Sequence, residues 1–363
     1  GRMVDGQVQN FGADVVYYHA FRMNEEKEEE FHMKYLPLEE LVKVSDVITI
    51  HVPLLERAQN YGGFFGIATV IAAGNETGLA HHYAGRLSAD TSYEDVELRV
   101  GKKEAERGFI LELWSSATEL YTVGFVSPGG ERINRIPILA NNETRIPFLL
   151  ENTTVTVNYE LIEAGSGSQL VSMRFEKPSA GIWTIRVYNT QFLTGDYHMW
   201  LPVQGFISDE TVFLKPDPSN TITVPGNSRL PITVGAYDHR NNSIYIHSSR
   251  GYISRDSVKP DLAAPGVDVL GPANTSVHSD ILKNTQTFTH RTGTSAAAAI
   301  TAGAVANLLN WGIVMGNYPT MSEASIKSYL IRGASRNPSL SYPNREFGYG
   351  TLDLLQTFLK LRE

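Results

Sequence analysis

The chain has 363 residues, of which 42% are hydrophobic and 19% charged, and its formal net charge is -8. This length predicts about two domains with packed interiors. Acidic and basic residues are mostly interspersed, which argues against nucleic acid or an anionic membrane as a partner. The chain has no cysteine, which excludes disulfide bonds and thiolate metal sites. We expect no cofactor, no metal and, since no export signal is seen, a cytoplasmic location.

Residues 1–58 have the pattern of a β-α-β unit, with apolar strands predicted at 13–18 and 46–52 and helical spacing at 36–44. Segments 11–18 and 38–54 resemble the cofactor domain of D-2-hydroxyacid dehydrogenases. That family holds its dinucleotide with a glycine-rich turn and a strand-end acid. Here Val4 stands where the resemblance requires glycine, and His19 stands in place of the acid. The segment is therefore interpreted as a structural remnant, and an NAD-dependent oxidoreductase is the least favoured alternative.

A short apolar strand at 69–73 is followed by Gly74 and Asn75. An amide at the end of a strand is a good donor to an oxyanion. The next residues, 77–85, are predicted to form a loop around His81 and His82. These histidines have no Asp or Cys partner at ligand spacing, so we do not predict a metal site.

Residues 88–205 change to the alternating pattern of an all-β sandwich. Six short strands are predicted, separated by turns rich in Gly, Asn and Pro: 96–100, 109–114, 120–126, 153–159, 170–175 and 181–188. Trp114, Trp183 and Trp200 are assigned to the core of this sandwich or to its edge, in preference to a carbohydrate-binding platform.

The sheet is predicted to resume at 230–237 and to lead through the stretch Lys-Pro-Asp-Leu-Ala-Ala-Pro-Gly (259–266) to residues 290–312. In this last stretch two threonines and a glycine precede Ser295, and small or aliphatic residues follow it. A hydroxyl at a helix N-terminus lies among unpaired amides and the positive end of the helix dipole. Taken alone, the pattern favours a serine that caps a core helix. Two outer helices are predicted at 322–331 and 352–361.

Taken in order, the Ala-Ala-Gly-Asn strand, the Lys-Pro-Asp loop and the Gly-Thr-Ser turn resemble the motifs of subtilisin-like serine proteases. Segments 231–243, 248–251 and 347–353 are further similar to Csp-type subtilases of spore-forming bacteria, as is Ala299, where most subtilases carry proline. The similarity covers about residue 66 to the end, with Ile300 departing from the usual histidine. It implies that Ser295 is the nucleophile and Asn75 the oxyanion donor, that the substrates are peptides or proteins, and that a spore-associated location is possible.

The predicted fold class is α/β, with a parallel-sheet subtilisin-like core, incomplete at its N-terminus, and an inserted all-β jelly-roll-like sandwich. The expected domains are the β-α-β segment (1–58), the protease core (59–87 with 206–363) and the sandwich (88–205).

The catalytic machinery is predicted to be incomplete. A serine hydroxyl needs a base and a carboxylate that orients the base, which subtilases take from His-Gly-Thr and Asp-Thr/Ser-Gly motifs. Neither motif occurs in the chain, and His19 and His51 lie just after and within predicted strands, respectively. We therefore expect no peptide cleavage by this chain alone. The alternative is a non-catalytic scaffold whose sandwich recognises a partner, and a fused coding sequence would give the same pattern.

Overall fold

A computed structural model describes residues 16–17, 28, 34–37, 40, 47–49, 68–88, 90–115, 119–139, 143–191, 194–254, 257–272 and 288–361. The chain divides into two compact units, Gly1–Asn75 with Ile222–Glu363, and Glu76–Thr221.

Twenty-two strands and four α-helices are found in the described residues. The strands are β1 (Val16–Tyr17), β2 (Lys34–Tyr35), β3 (Val47–Thr49), β4 (Ala68–Ala72), β5 (His82–Arg86), β6 (Tyr93–Val100), β7 (Phe109–Ser115), β8 (Leu120–Val126), β9 (Arg132–Ile133), β10 (Thr144–Phe148), β11 (Thr153–Glu160), β12 (Gln169–Glu176), β13 (Gly181–Gln191), β14 (Asp196–Trp200), β15 (Val212–Phe213), β16 (Ile232–Asp238), β17 (Ser243–Ile244), β18 (Gly251–Ser254), β19 (Ser257–Lys259), β20 (Leu262–Pro265), β21 (Val269–Pro272) and β22 (Phe288–Arg291). The helices are α1 (Glu104–Arg107), α2 (Thr294–Leu309), α3 (Glu323–Gly333) and α4 (Leu354–Lys360), and a π-helical turn, Asn310–Val314, continues α2.

The unit of residues 76–221 consists of two antiparallel sheets around one apolar core. The six-stranded sheet has the order β10-β11-β12-β7-β14-β5, and the five-stranded sheet has the order β15-β6-β13-β8-β9. Alternate side chains of each strand point between the sheets, where Trp183, Tyr121, Tyr197, Phe125 and Phe175 are fully buried. All six strands predicted in this region are present.

The sandwich includes residues beyond both ends of the predicted segment 88–205. Strand β5 pairs with β14, and β15 pairs with β6, so residues before 88 and after 205 belong to its sheets. The loop expected at 77–85 is thus a strand from His82 onward. Its sequence hides this because Gly85 interrupts the apolar pattern, and a side chain at Gly85 would collide with the ring of Tyr197.

The other unit is built on a parallel sheet. Strands β3, β4, β16 and β20 are neighbours in that order and parallel, and β17 folds back antiparallel on the end of β16. Helix α2 packs on this sheet through small side chains, among them Ala297, Ala298 and Val305. Helices α3 and α4 pack on each other.

Helix α2 and the turn that follows it, residues 294–314, are long and apolar enough to cross a membrane. Their buried side chains, however, include Thr294, Thr301 and Leu308, and they join the core beside the parallel sheet. The stretch is therefore the core helix that its small residues predicted.

The N-terminal segment contributes a strand to this sheet. Residues Val47–Thr49 lie in the second predicted strand, 46–52, and pair in parallel with Ala68–Val70 of β4. Strands β1 and β2 form a separate parallel pair. Of the predicted helix 36–44, Glu40 is helical, and most of this helix lies outside the described residues.

Candidate functional site

Asn75 and the start of helix α2 meet at one edge of the parallel sheet. Strand β4 ends at Ala72, three residues before Asn75, and β20 ends at Pro265, ahead of the hairpin that leads to Ser295. Since the carboxyl ends of parallel strands lie at the same edge, the loops after them converge there. The structure thus brings together the two residues that the sequence assigned to one site.

Thr294 holds the side chain of Asn75 in one orientation. The Thr294 backbone amide donates to Asn75 Oδ1 at 3.0 Å, and the Thr294 hydroxyl donates to the same oxygen at 3.2 Å. The hydroxyl in turn accepts from the Gly74 amide at 3.2 Å. Because Oδ1 receives both donors, the amide nitrogen Nδ2 is directed away from Thr294. Nδ2 makes no hydrogen bond within the described part of the chain.

The backbone that carries Asn75 is tightly held. The carbonyl of Ala73 accepts from the Thr223 amide at 3.0 Å, and that of Gly74 accepts from the Ser249 amide at 2.9 Å. Gly74 has φ +104°, and a Cβ there would lie 2.7 Å from the Thr223 side chain and 2.9 Å from Ser249 Oγ. Only glycine fits this conformation and this space. The Ala-Ala-Gly-Asn motif therefore needs glycine at position 74, because of the backbone conformation and the close neighbours there.

Ser295 is exposed and is the second residue of α2. The first amides of a helix have no partner within the helix. Here the amide of Thr294 bonds to Asn75, and those of Ala296 and Ala297 bond to the Gly293 carbonyl. This leaves the Ser295 amide without a bond to any residue that the structure describes. The first turn contains no acidic residue to offset the positive end of the helix dipole.

Chemically, this edge of the sheet carries the Ser295 hydroxyl and two N–H donors that have no partner among the described residues, Asn75 Nδ2 and the Ser295 amide. Such donors stabilise negative charge that develops on an oxygen during acyl transfer. The contribution of Thr294 was not recognised from the sequence, where it was read only as the middle residue of Gly-Thr-Ser.

No imidazole in the described ranges forms a hydrogen bond with the Ser295 hydroxyl. In the same unit, His290 pairs with Asp268 at 3.0 Å, and both side chains are exposed. His19 and His51, the candidates excluded on sequence grounds, lie outside the described residues.

His81 and His82 belong to the sandwich unit and have separate partners. His81 Nδ1 contacts Glu76 Oε2 at 2.8 Å, and His82 Nδ1 contacts the Asp217 carbonyl at 3.0 Å. Burial lowers the pKa of His82 to about 4, which keeps it neutral near pH 7. Within the described ranges, no group of three His, Cys, Asp or Glu side chains is arranged to hold a metal ion.

The Lys-Pro-Asp stretch forms a buried charge network. Lys259 Nζ donates to Asp261 Oδ2 at 2.7 Å and to Thr233 Oγ1 and the Pro231 carbonyl at 2.9 Å. Lys327 of α3 contacts the other Asp261 oxygen at 2.7 Å. Burial lowers the pKa of Lys259 to about 8, while Asp261 opposes this shift. This motif therefore anchors β16, β20 and α3 to one another.

A dinucleotide site finds no support in the residues present. Position 4 and His19 lie outside the described residues, and valine and histidine cannot replace the tight glycine turn and the ribose-binding acid.

Comparisons with known proteins match both parts of the chain. The protein-family model described as "Subtilase family" matches residues 209–350. The family model described as "D-isomer specific 2-hydroxyacid dehydrogenase, NAD binding domain" matches residues 1–62. Serine protease AprX of Bacillus subtilis (strain 168) is 33% identical over 129 residues, which cover 32% of this chain and 28% of AprX. Glyoxylate reductase of Korarchaeum cryptofilum (strain OPF8) is 36% identical over 63 residues, which cover 17% of this chain and 19% of that enzyme.

A solved structure, that of the Clostridium perfringens CspB protease, is similar with a TM-score of 0.76 and 27% identity. The match covers 93% of this chain and 68% of that chain. The chain spans less than a third of either curated relative.

Proposed function

We propose that the chain carries the nucleophile and the oxyanion donors of a subtilisin-like endopeptidase site, because residues 209–350 match the subtilase family model. Ser295 is the nucleophile, and Asn75 Nδ2 with the Ser295 amide receives the oxyanion. The arrangement of Thr294, with both donors on Asn75 Oδ1, is the observation that carries this assignment. In the sequence, the sandwich is a jelly-roll-like insertion between Asn75 and the segment that carries Ser295.

We further propose that the chain alone does not cleave peptide bonds. Amide hydrolysis needs a base to take the serine proton and an acid to protonate the leaving amine. The motifs that supply them in subtilases do not occur in this chain. The outcome is tested with fluorogenic peptides: turnover that disappears in Ser295→Ala would contradict this proposal.

An activated ester tests the nucleophile on its own, because its reaction does not require the missing base. In p-nitrophenyl acetate, the serine oxygen attacks the carbonyl carbon, p-nitrophenolate leaves without needing a proton, and the serine proton passes to water or buffer. We expect slow acetylation of Ser295, detected by peptide mass spectrometry, because oxyanion donors retain part of their effect without the triad.

Two variants serve as controls. Ser295→Ala removes the acceptor and should abolish the label. Asn75→Asp keeps an oxygen for both donors of Thr294 but replaces the N–H donors by a carboxylate oxygen. It should reduce labelling by about 100-fold or more, as losing an oxyanion donor does elsewhere. Equal labelling of Asn75→Asp and the unaltered chain would contradict the role of Asn75.

A non-catalytic binding scaffold is the second candidate. It is favoured by the lack, among the described residues, of an imidazole bonded to Ser295, and by the separate compact sandwich. A folded chain that shows no serine-dependent acetylation would support this candidate. An NAD-dependent oxidoreductase is least favoured; we expect no thermal shift with NAD⁺ or NADH.

A further inference from the structure

Side chains of the six-stranded sheet alternate between the core and an outer face. On β7, Leu111 and Leu113 are buried in the core, so Ile110, Glu112 and Trp114 lie on the outer face. The neighbouring strands β12 and β14 continue this face. It thus carries polar, charged and aromatic side chains that the core does not use.

Two half-buried tryptophans form one end of this face. Trp114 lies opposite His198 of β14, and Trp200 lies opposite Glu112. Trp200 stacks on His198 with ring centroids 5.3 Å apart, and its Nε1 donates to the Asn220 carbonyl at 3.1 Å. Trp114 Nε1 donates to Glu112 Oε2 at 2.9 Å. Since both indole N–H groups are satisfied, the rings are held in place and can offer apolar surface to a ligand.

Hydrogen-bond acceptors lie between the rings. The Asp217 carbonyl can only accept, so His82 Nδ1 carries the proton, and His82 Nε2 accepts from His198 Nδ1 at 3.0 Å. His198 Nε2 therefore carries a lone pair that accepts no hydrogen bond from a described residue. Glu112 Oε1 is equally without one. Both atoms suit a ligand that presents hydroxyl groups.

The other end of the face is a basic cleft of about 380 Å³. Its lining includes three basic residues and two acidic ones: Arg107, Arg174, Lys177, Glu106 and Glu176. Glu176 is paired with Arg145 at 3.1 Å. The three basic side chains form no ion pair within the described residues. The cleft therefore has positive charge available for an anionic ligand.

The two ends are joined along β7. Ile110 lines the cleft and is 41% exposed, and Trp114 is four residues further along the same face. At about 3.3 Å per residue, they lie roughly 13 Å apart. A ligand that contacts both ends must be extended and must combine ring faces, hydroxyls and negative charge.

We propose that this outer face binds an oligosaccharide that carries carboxylate groups. Its sugar rings stack on Trp114 and Trp200, its hydroxyls donate to His198 Nε2 and Glu112, and its carboxylates lie in the basic cleft. An extended peptide suits the face less well, because β7, β12 and β14 are each paired on both sides and offer no free backbone groups. This function is additional to the serine site and does not depend on it.

The test titrates the full chain with a purified oligogalacturonate by isothermal calorimetry at low salt. We expect saturable binding that weakens as salt is added. Trp114→Ala and Arg174→Glu should each weaken binding by about tenfold or more, equivalent to losing roughly 1.4 kcal/mol. Matched variants on the five-stranded sheet, Tyr93→Ala and Arg132→Glu, should change affinity by less than about twofold. Ser295→Ala should leave binding unchanged.

A further variant covers the case in which Trp114→Ala does not fold. Ser172 is half-buried on β12, opposite Glu112, and Ser172→Glu places a repelling charge between the two ends. It should abolish binding while circular dichroism shows a folded chain. Three results would overturn the proposal: no saturable binding, equal binding of poly-glutamate or of a neutral cello-oligosaccharide, or equal losses in the matched variants.

Discussion

The sandwich and the parallel-sheet unit differ in what fills their interiors. Large rings such as Trp183, Tyr121 and Phe175 fill the sandwich, whereas alanines and valines such as Ala236, Ala297 and Val305 lie between α2 and the parallel sheet. Small side chains let a helix approach a sheet closely. The buried ion pairs of Lys259 and Asp261 additionally hold strands β16 and β20 and helix α3 together. The sandwich depends on side-chain volume, while the parallel unit depends on backbone proximity and matched charge.

Removing volume from the sandwich should give the largest effect. Trp183 is fully buried, and its Nε1 donates to the Ser179 carbonyl at 3.0 Å. Trp183→Ala should cost about 3–5 kcal/mol because it leaves a cavity. Denaturant unfolding measures the loss, and hydrogen exchange should locate it in residues 76–221. Tyr93→Ala, on the exposed side, is the control. An equal loss of protection in residues 222–361 would show that the units are not independent.

Breaking the charge network should be the next largest effect. Lys259→Met leaves Asp261 buried with Lys327 as its remaining ion-pair partner and should cost about 3 kcal/mol. The matched variant Arg240→Met removes an exposed guanidinium from its pairs with Asp238 and Asp268 and should change stability by less than about 1 kcal/mol. Chemical denaturation of both variants makes the comparison. If Lys259→Met were as stable as the unaltered chain, packing alone would hold the parallel unit.

A smaller, pH-dependent effect is expected at Glu323 of α3. Burial raises its pKa to about 7, although its Oε1 accepts from the Thr69 amide at 2.8 Å. A carboxyl with a raised folded-state pKa contributes its full stability below the unfolded pKa, and this stability is lost as the pH rises towards 7. Glu323→Gln should therefore be more stable than the unaltered chain by about 1–3 kcal/mol at pH 8 and about equal to it at pH 4.

Thermal melts from pH 4 to pH 8 check this expectation. A constant difference between Glu323→Gln and the unaltered chain across the series would mean that Glu323 does not titrate in this range. A loss of stability at pH 8 would mean that its charge is favourable in the folded state.

Much of the sandwich could be predicted because its strands repeat a two-residue pattern. β8, Leu120–Val126, has the predicted bounds, β11 is one residue longer at its C-terminal end, and β12 is one residue longer at each end. Strand β14 shows the same alternation, with Tyr197 and Met199 buried, but was missed because it is only five residues long. Short strands of this kind are defined by the neighbours they pair with.

The candidate site was predicted by residue type and order, but its geometry was not. Asn75 and Thr294 are 219 residues apart, and no local pattern states that one will orient the other. The same limit applies to β3, whose pairing with β4 joins a segment that matches the dehydrogenase family model to the parallel sheet.

The sequence by itself determined the alternating strands of the sandwich, the apolar run of α2, the order of three motifs and the lack of the two that would complete a triad. These are properties of residue type and spacing, and they are present before the chain folds. Only the tertiary structure decided which face Trp114 and Trp200 occupy, how Thr294 directs Asn75, and which partners Lys259 takes. Those outcomes depend on contacts between distant segments, whose energies exist only once the chain has brought the segments together.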